Sequence, residues 1–159
     1  MLRKSLLAAT IASLSCAVAA TVALATPSAR SQHQTMSKAF TVAADANCAA
    51  LGGLIAPLGN PTTLPGIAHK LAIVVPAFTM ALRAQGELVT FDAPAGKETL
   101  VEQWMSAMSH YGQKLAAIRA AAAAGKGDAV TKANAQLTTI GGQAAATSKR
   151  LGLHVCFQS

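Results

Sequence analysis

The chain has 159 residues, 13 Lys and Arg against 6 Asp and Glu for a formal charge of +7, and 52% hydrophobic residues with few aromatics. That length holds one domain with a modest core. The basic balance lacks interleaved aromatics, which disfavours a nucleic-acid binder, and only three cysteines, none in CxxC, argue against thioredoxin-like exchange and covalent haem.

The start, Met1-Leu2-Arg3-Lys4 followed by an uncharged run from Ser5 to Ala25, reads as a Sec-type signal peptide over 1–25, with cleavage before Thr26. Two alternatives stay open. The uncharged run is long enough to span a bilayer as a retained anchor, and Leu14-Ser15-Cys16 is a weak lipoprotein box with Ser13 where an apolar residue is expected. No second apolar run of that length is evident, so the mature part is expected to be soluble or tethered. Removing Arg3 and Lys4 lowers the formal charge from +7 to +5. Segment 26–36 is polar and without periodicity and reads as a flexible spacer. The helical bundle domain is expected over 37–159.

Four helices are expected in that domain. Phe40, Ala44, Cys48, Leu51 and Ile55 form the stripe of the first, which Pro57 and Gly59 end. Thr63 or Thr62 caps the second, with Pro65 in its first turn and a stripe of Ile67, Leu71, Val74, Phe78, Ala81 and Leu88. Pro76 removes a backbone hydrogen bond inside it. Val89 to Ala93 looks extended. Asp92 or Thr99 caps the third helix, whose stripe from Val101 is Trp104, Met108, Tyr111, Leu115, Ile118 and Ala122. Gly125 to Asp128 stops it, with Asp128 expected to cap the fourth. There the stripe from Val130 is Ala133, Leu137, Ile140, Ala144, Thr147 and Leu151. Connections this short make neighbours antiparallel, so the fold class is an all-α, up-down-up-down four-helix bundle.

Cys48 and Cys156 are the cysteines left once the leader is removed, and they bracket nearly the whole mature domain. They are expected to form one disulfide in an oxidising compartment. With a helix starting near residue 37, Cys48 lies about 15 Å from the pole where the fourth helix ends. Gly152 terminates that helix, with Leu153 placed for a capping contact. The tail from Leu153 to Cys156 must then turn back along the bundle.

Phe40 and Cys48, Trp104 early in its helix, Gly127-Asp128, and Ala144 leading into Leu151-Gly152-Leu153-His154-Val155-Cys156 give a layout over nearly all of the mature chain. It resembles small secreted or lipid-anchored helical proteins of actinobacteria that carry one cysteine pair and an LGLxxC tail. The resemblance implies a disulfide-closed bundle of the cell envelope and carries no catalytic residue.

The chemistry-bearing residues do not converge in the sequence. No pair among His33, His69, His110 and His154 has chelating helical spacing. Met105, Met108 and His110 faintly suggest a soft-metal site, but His110 points about 160° from Met108 on a regular helix. Haem ligation by Met36 and His154 is conceivable. Catalysis would require distant pairs such as His69 with Glu87 or His110 with Glu102; Glu98 and Glu102 serve the helix dipole. Lys70, Arg119, Lys126 and Lys132 should gather at the pole of the third-to-fourth connection and offer contact to an anionic surface. No catalytic, cofactor or metal residue is therefore assigned. The expectation is a non-enzymatic exported binding or structural module of the envelope or extracellular space, without cofactor, whose partner there is unidentified. Membrane contact would come only through a retained leader or the basic pole. A carrier of haem or a soft metal is the first alternative and an enzyme the second.

Overall fold

The structure, a computed structural model, describes the backbone of residues 29–156 and the side chains of 38–156 apart from Phe91 and Asp92. The leader, its cleavage point and the two alternatives involving it lie outside the described residues. Four α-helices follow one another: α1 (Ala29–Ile55), α2 (Leu64–Asp92), α3 (Glu98–Ala123) and α4 (Gly127–Leu151), with a 3-10 turn (Ala56–Leu58) after α1. They form an up-down-up-down bundle with no strand among the described residues. Each helix packs extensively on its chain neighbours, α1 on α2, α2 on α3 and α3 on α4. Among the described residues, α1 and α4 share no comparably extensive contact.

The turn chemistry explains most boundaries. Thr63 caps α2, its Oγ1 accepting from the Gly66 amide at 3.3 Å, with Pro65 in the first turn and Pro76 accommodated inside the helix. At the end of α3, Gly125 takes φ 68°, and the Gly125 and Lys126 amides return to the Ala122 and Ala121 carbonyls. Gly152 ends α4 in the same way at φ 84°, with its amide on Lys149 and that of Leu153 on Ser148. Both are Schellman closures, which a left-handed residue makes possible and which glycine adopts without a Cβ clash.

Several expectations need correction. The α1 backbone is already helical at Ala29, inside the segment 26–36 read as a spacer; Ala, Arg and Gln there favour helix without supplying an apolar stripe. Cys48 consequently lies nearly twenty residues beyond a helical Ala29, further along the helix than the expected ten. Val89 to Asp92 is the last turn of α2 rather than an extended strand, so Asp92 cannot cap α3, and Thr99 lies within α3. The N-cap of α3 is Lys97, and the Glu98 carboxylate instead reaches back to accept from the Gly96 amide at 2.8 Å. Lys126 occupies the N-cap of α4, leaving Asp128 in its first turn, where its charge suits the dipole. Lys38–Leu58 and Leu64–Thr90 are, by length and composition only, apolar enough to cross a bilayer. Their scattered charged residues hid that property from a search for uncharged runs.

The core follows the stripes. Phe40, Ala44 and Trp104 are fully buried, and Phe40 meets Trp104 edge-on at 6.3 Å between ring centroids. Such a pair contributes about 0.5–1.5 kcal/mol beyond the area it buries. Val101, Met108, Leu115, Ile118 and Ala122 continue the α3 seam, while Val130, Ala144, Ser148 and Leu151 are the buried positions of α4.

Candidate functional site

The tail beyond α4 ties back to α1. Leu153 is buried, and beyond it the His154 and Val155 amides donate to the Asp45 carboxylate of α1 at 2.8–3.0 Å. Cys156 then bonds to Cys48, one helical turn further along α1, with Cα atoms 5.2 Å apart at a sequence separation of 108. A carboxylate takes two consecutive backbone amides well because the bonds are charge-assisted. Asp45 was invisible to stripe counting: it lies off the apolar face, and its partners are backbone groups 109 and 110 residues away.

Beside Cys48 and Val155 a groove opens. Cys48, Leu51 and Ile55 line it from α1; Leu71, Val74 and Phe78 from α2; Met108, Tyr111 and Leu115 from α3. Each helix supplies positions over two successive turns, so the trough runs about 10 Å along the bundle axis. Val155 closes its lower edge, Gly52 leaves a gap in its α1 wall, and α4 contributes none of its lining. The cavity is about 370 Å³, within the range of small-molecule sites. Phe78 and Tyr111 stack at a tilt, 5.6 Å between centroids. Burial pushes the Tyr111 phenol above its ordinary pKa, because the charged phenolate loses more water than the neutral form.

Lys70 lines the upper end. Its ammonium donates to the Gly59 carbonyl and, at 3.5 Å, to Asn60 Oδ1, so it clasps the α1–α2 turn. Lys70, Leu71 and Leu115 also line a second hollow of about 390 Å³, where Asn60, Thr131 and Asn134 add polar groups. Of the other basic residues read from the sequence, Arg119 is exposed near the end of α3, and Lys126 and Lys132 are exposed at the start of α4. Up-down-up-down connectivity puts these positions at the same end of the bundle as the α1–α2 turn.

The remaining candidates are dispersed. His69 and Glu87 are about 27 Å apart along α2, and Glu87 instead pairs with exposed Arg83 at 3.4 Å. Glu102 and His110 do line one shallow polar groove with Ser106, Gln143 and Thr147, but about 12 Å of helical rise separates them. His110 faces this groove while Met108 faces the apolar one, so the two do not converge on a metal. Met36 lies outside the described side chains, and His154 is exposed. No group of three His, Cys, Asp or Glu able to hold a metal occurs among the described residues.

Sequence reasoning also missed Gln85, which is 1% exposed and donates through Nε2 to the Ala44 carbonyl at 3.1 Å. It falls on the α2 stripe four residues after Ala81, but its polarity concealed it. No protein-family model, curated protein or solved structure matches this chain.

Proposed function

We propose that this protein is a non-enzymatic binding module that works outside the cytoplasm and holds an apolar guest in the groove between α1, α2 and α3. The observation that carries the reading is the groove itself, walled by three helices, with α4 contributing none of the described lining. A mainly apolar wall with a few polar groups is the usual composition of a ligand site. The long-range disulfide supports export, since such bonds persist in oxidising compartments. The exposed basic residues at the same pole suit contact with an anionic envelope surface.

The test is saturable binding of a neutral fluorescent probe, N-phenyl-1-naphthylamine, by wild type and by Gly52→Leu. A Cβ at Gly52 meets nothing within 4 Å, so leucine should fold normally and reach into the groove. Stoichiometric binding lost in this variant supports the reading; absence of binding by wild type overturns it.

A haem carrier is the second reading, favoured by the Met108 thioether lining the same groove, since a thioether can serve as an axial ligand. Added haemin should then give a Soret shift that Met108→Leu abolishes. An unshifted spectrum removes this reading and leaves the first standing.

A further inference from the structure

The groove has two unlike ends. At its lower end Cys48, Phe78, Met108 and Val155 offer no charge, whereas at the upper end Lys70 is the one charged residue in the lining among the described residues. Lys70 has a compact ammonium with three donors, and the structure engages it with two acceptors, the Gly59 carbonyl and Asn60 Oδ1. The third donor is available to a ligand oxygen. Beside it, the second hollow carries Asn60, Thr131 and Asn134, so polar recognition groups adjoin the point where the apolar trough ends. A guest complementary to both parts is apolar along about 10 Å and anionic at one end.

The shape narrows the class further. Three rows of side chains line the trough along the axis for about 10 Å, a length that an extended chain can fill. With carbon–carbon bonds of about 1.5 Å, an extended zigzag of roughly eight to ten carbons covers that length.

We infer that the groove binds a single-chain amphiphile with an anionic head, the chain lying between α1, α2 and α3 and the head on Lys70. This rests on the groove being the binding site. The head is a carboxylate or a phosphate ester, chemistry offered alike by a free fatty acid and by a lysophospholipid. A neutral head of the same size would leave the Lys70 donor unanswered and the adjoining polar groups solvated.

The experiment compares decanoate, decanol and a decanoyl lysophosphatidylglycerol by displacement of N-phenyl-1-naphthylamine from wild type, Lys70→Met and Lys70→Arg. Wild type should prefer the anionic ligands over decanol by about tenfold or more, as expected for a charge-assisted contact. Lys70→Met should lose that preference while still binding decanol, and Lys70→Arg should retain it. Tighter binding of decanoate identifies a free acid as the source, and tighter binding of the lysolipid a membrane lipid; either result supports the proposal. Equal affinity for decanol and decanoate in wild type, or an anionic preference that survives in Lys70→Met, overturns it while leaving the groove reading intact. Failure of the naphthylamine probe itself to bind would instead overturn the groove reading.

Discussion

The α3–α4 hairpin and α1 solve the same packing problem with opposite outcomes. In the first, two glycines are where they are because aromatic rings occupy the space a Cβ would need. At Gly112 the Phe78 ring would lie 3.0 Å from the added carbon, and at Gly141 the Tyr111 ring would lie 3.3 Å away. In α1, Gly52 and Gly53 have nothing within 4 Å of that position. The first helix is nonetheless rich in apolar residues, and Val42 and Leu54 stay more than half exposed. Apolar composition therefore sets how much surface a helix has to bury, whereas complementarity to its neighbours decides how much it does bury. Here the difference is a groove along one side of α1 and a covalent tether that compensates for it.

Removing the tether is the most severe way to break this comparison. Cys156→Ser opens a loop of 108 residues, for which the chain-entropy model gives about 4–5 kcal/mol. The loss should be uneven. Amide exchange should accelerate first in α1 and the tail, with the α3–α4 seam keeping most of its protection. Equal loss across all four helices would show that α1 is as integral as the others.

Next in size come the glycines. Gly112→Ala pushes a methyl against the Phe78 ring and should destabilise by about 1–3 kcal/mol, the usual cost of overpacking. Gly53→Ala, facing open space in a helix interior, should instead stabilise by about 0.5–1 kcal/mol. Denaturant midpoints measure both, and opposite signs are the outcome that sustains the contrast between tight and loose helices.

Asp45→Ala tests the non-covalent half of the latch. It removes the charged acceptor of the His154 and Val155 amides, at a cost of about 1–2 kcal/mol because those amides regain water when released. In a Cys156→Ser background the same change should cost less, since the tail is already loose; a double-mutant cycle measures that coupling. Strict additivity would mean that the carboxylate and the disulfide hold the tail independently.

Stripe counting made the four helices and the α3 seam legible, from Val101 through Ala122, because consecutive buried positions there face a neighbour along their whole length. It also narrowed the α2 cap to Thr63 or Thr62 and placed the Gly152 stop, whose signals are local. The cysteine pair was readable from its isolation in the chain. What stayed hidden depends on distant or absent atoms. Asp45 acts on amides more than a hundred residues away, and Gln85 is buried through a bond to the α1 backbone. The groove is a gap between stripes, and Leu51 or Ile55 has the same spacing whether its neighbour fills the space or leaves it open. End signals misled where two acidic residues competed for cap roles. Asp92 and Asp128 are both good caps in isolation, yet the chain turned at Lys97 and Lys126.

The smallest expected effect concerns how the two hairpins start. The Glu98 carboxylate accepts from the Gly96 amide and from its own, and these bonds hold its pKa below the ordinary value of 4.5. A depressed folded-state value means that the carboxylate stabilises the fold above the unfolded-state pKa. That contribution is lost as pH falls from near 4.5 through the lower folded value. Because Glu98 is fully exposed, the consequence should be local: faster exchange of the Gly96 amide and fraying of the first turn of α3. The turn between α1 and α2 is held by the Thr63 hydroxyl and the Lys70 ammonium, with no carboxylate in either bond. Its Gly66 amide should therefore keep its protection over the same interval. Glu98→Gln should remove the pH dependence at Gly96 and leave Gly66 unaltered. If both amides respond together in wild type, the α3 start is not an independent unit, and acid is acting through the bundle as a whole.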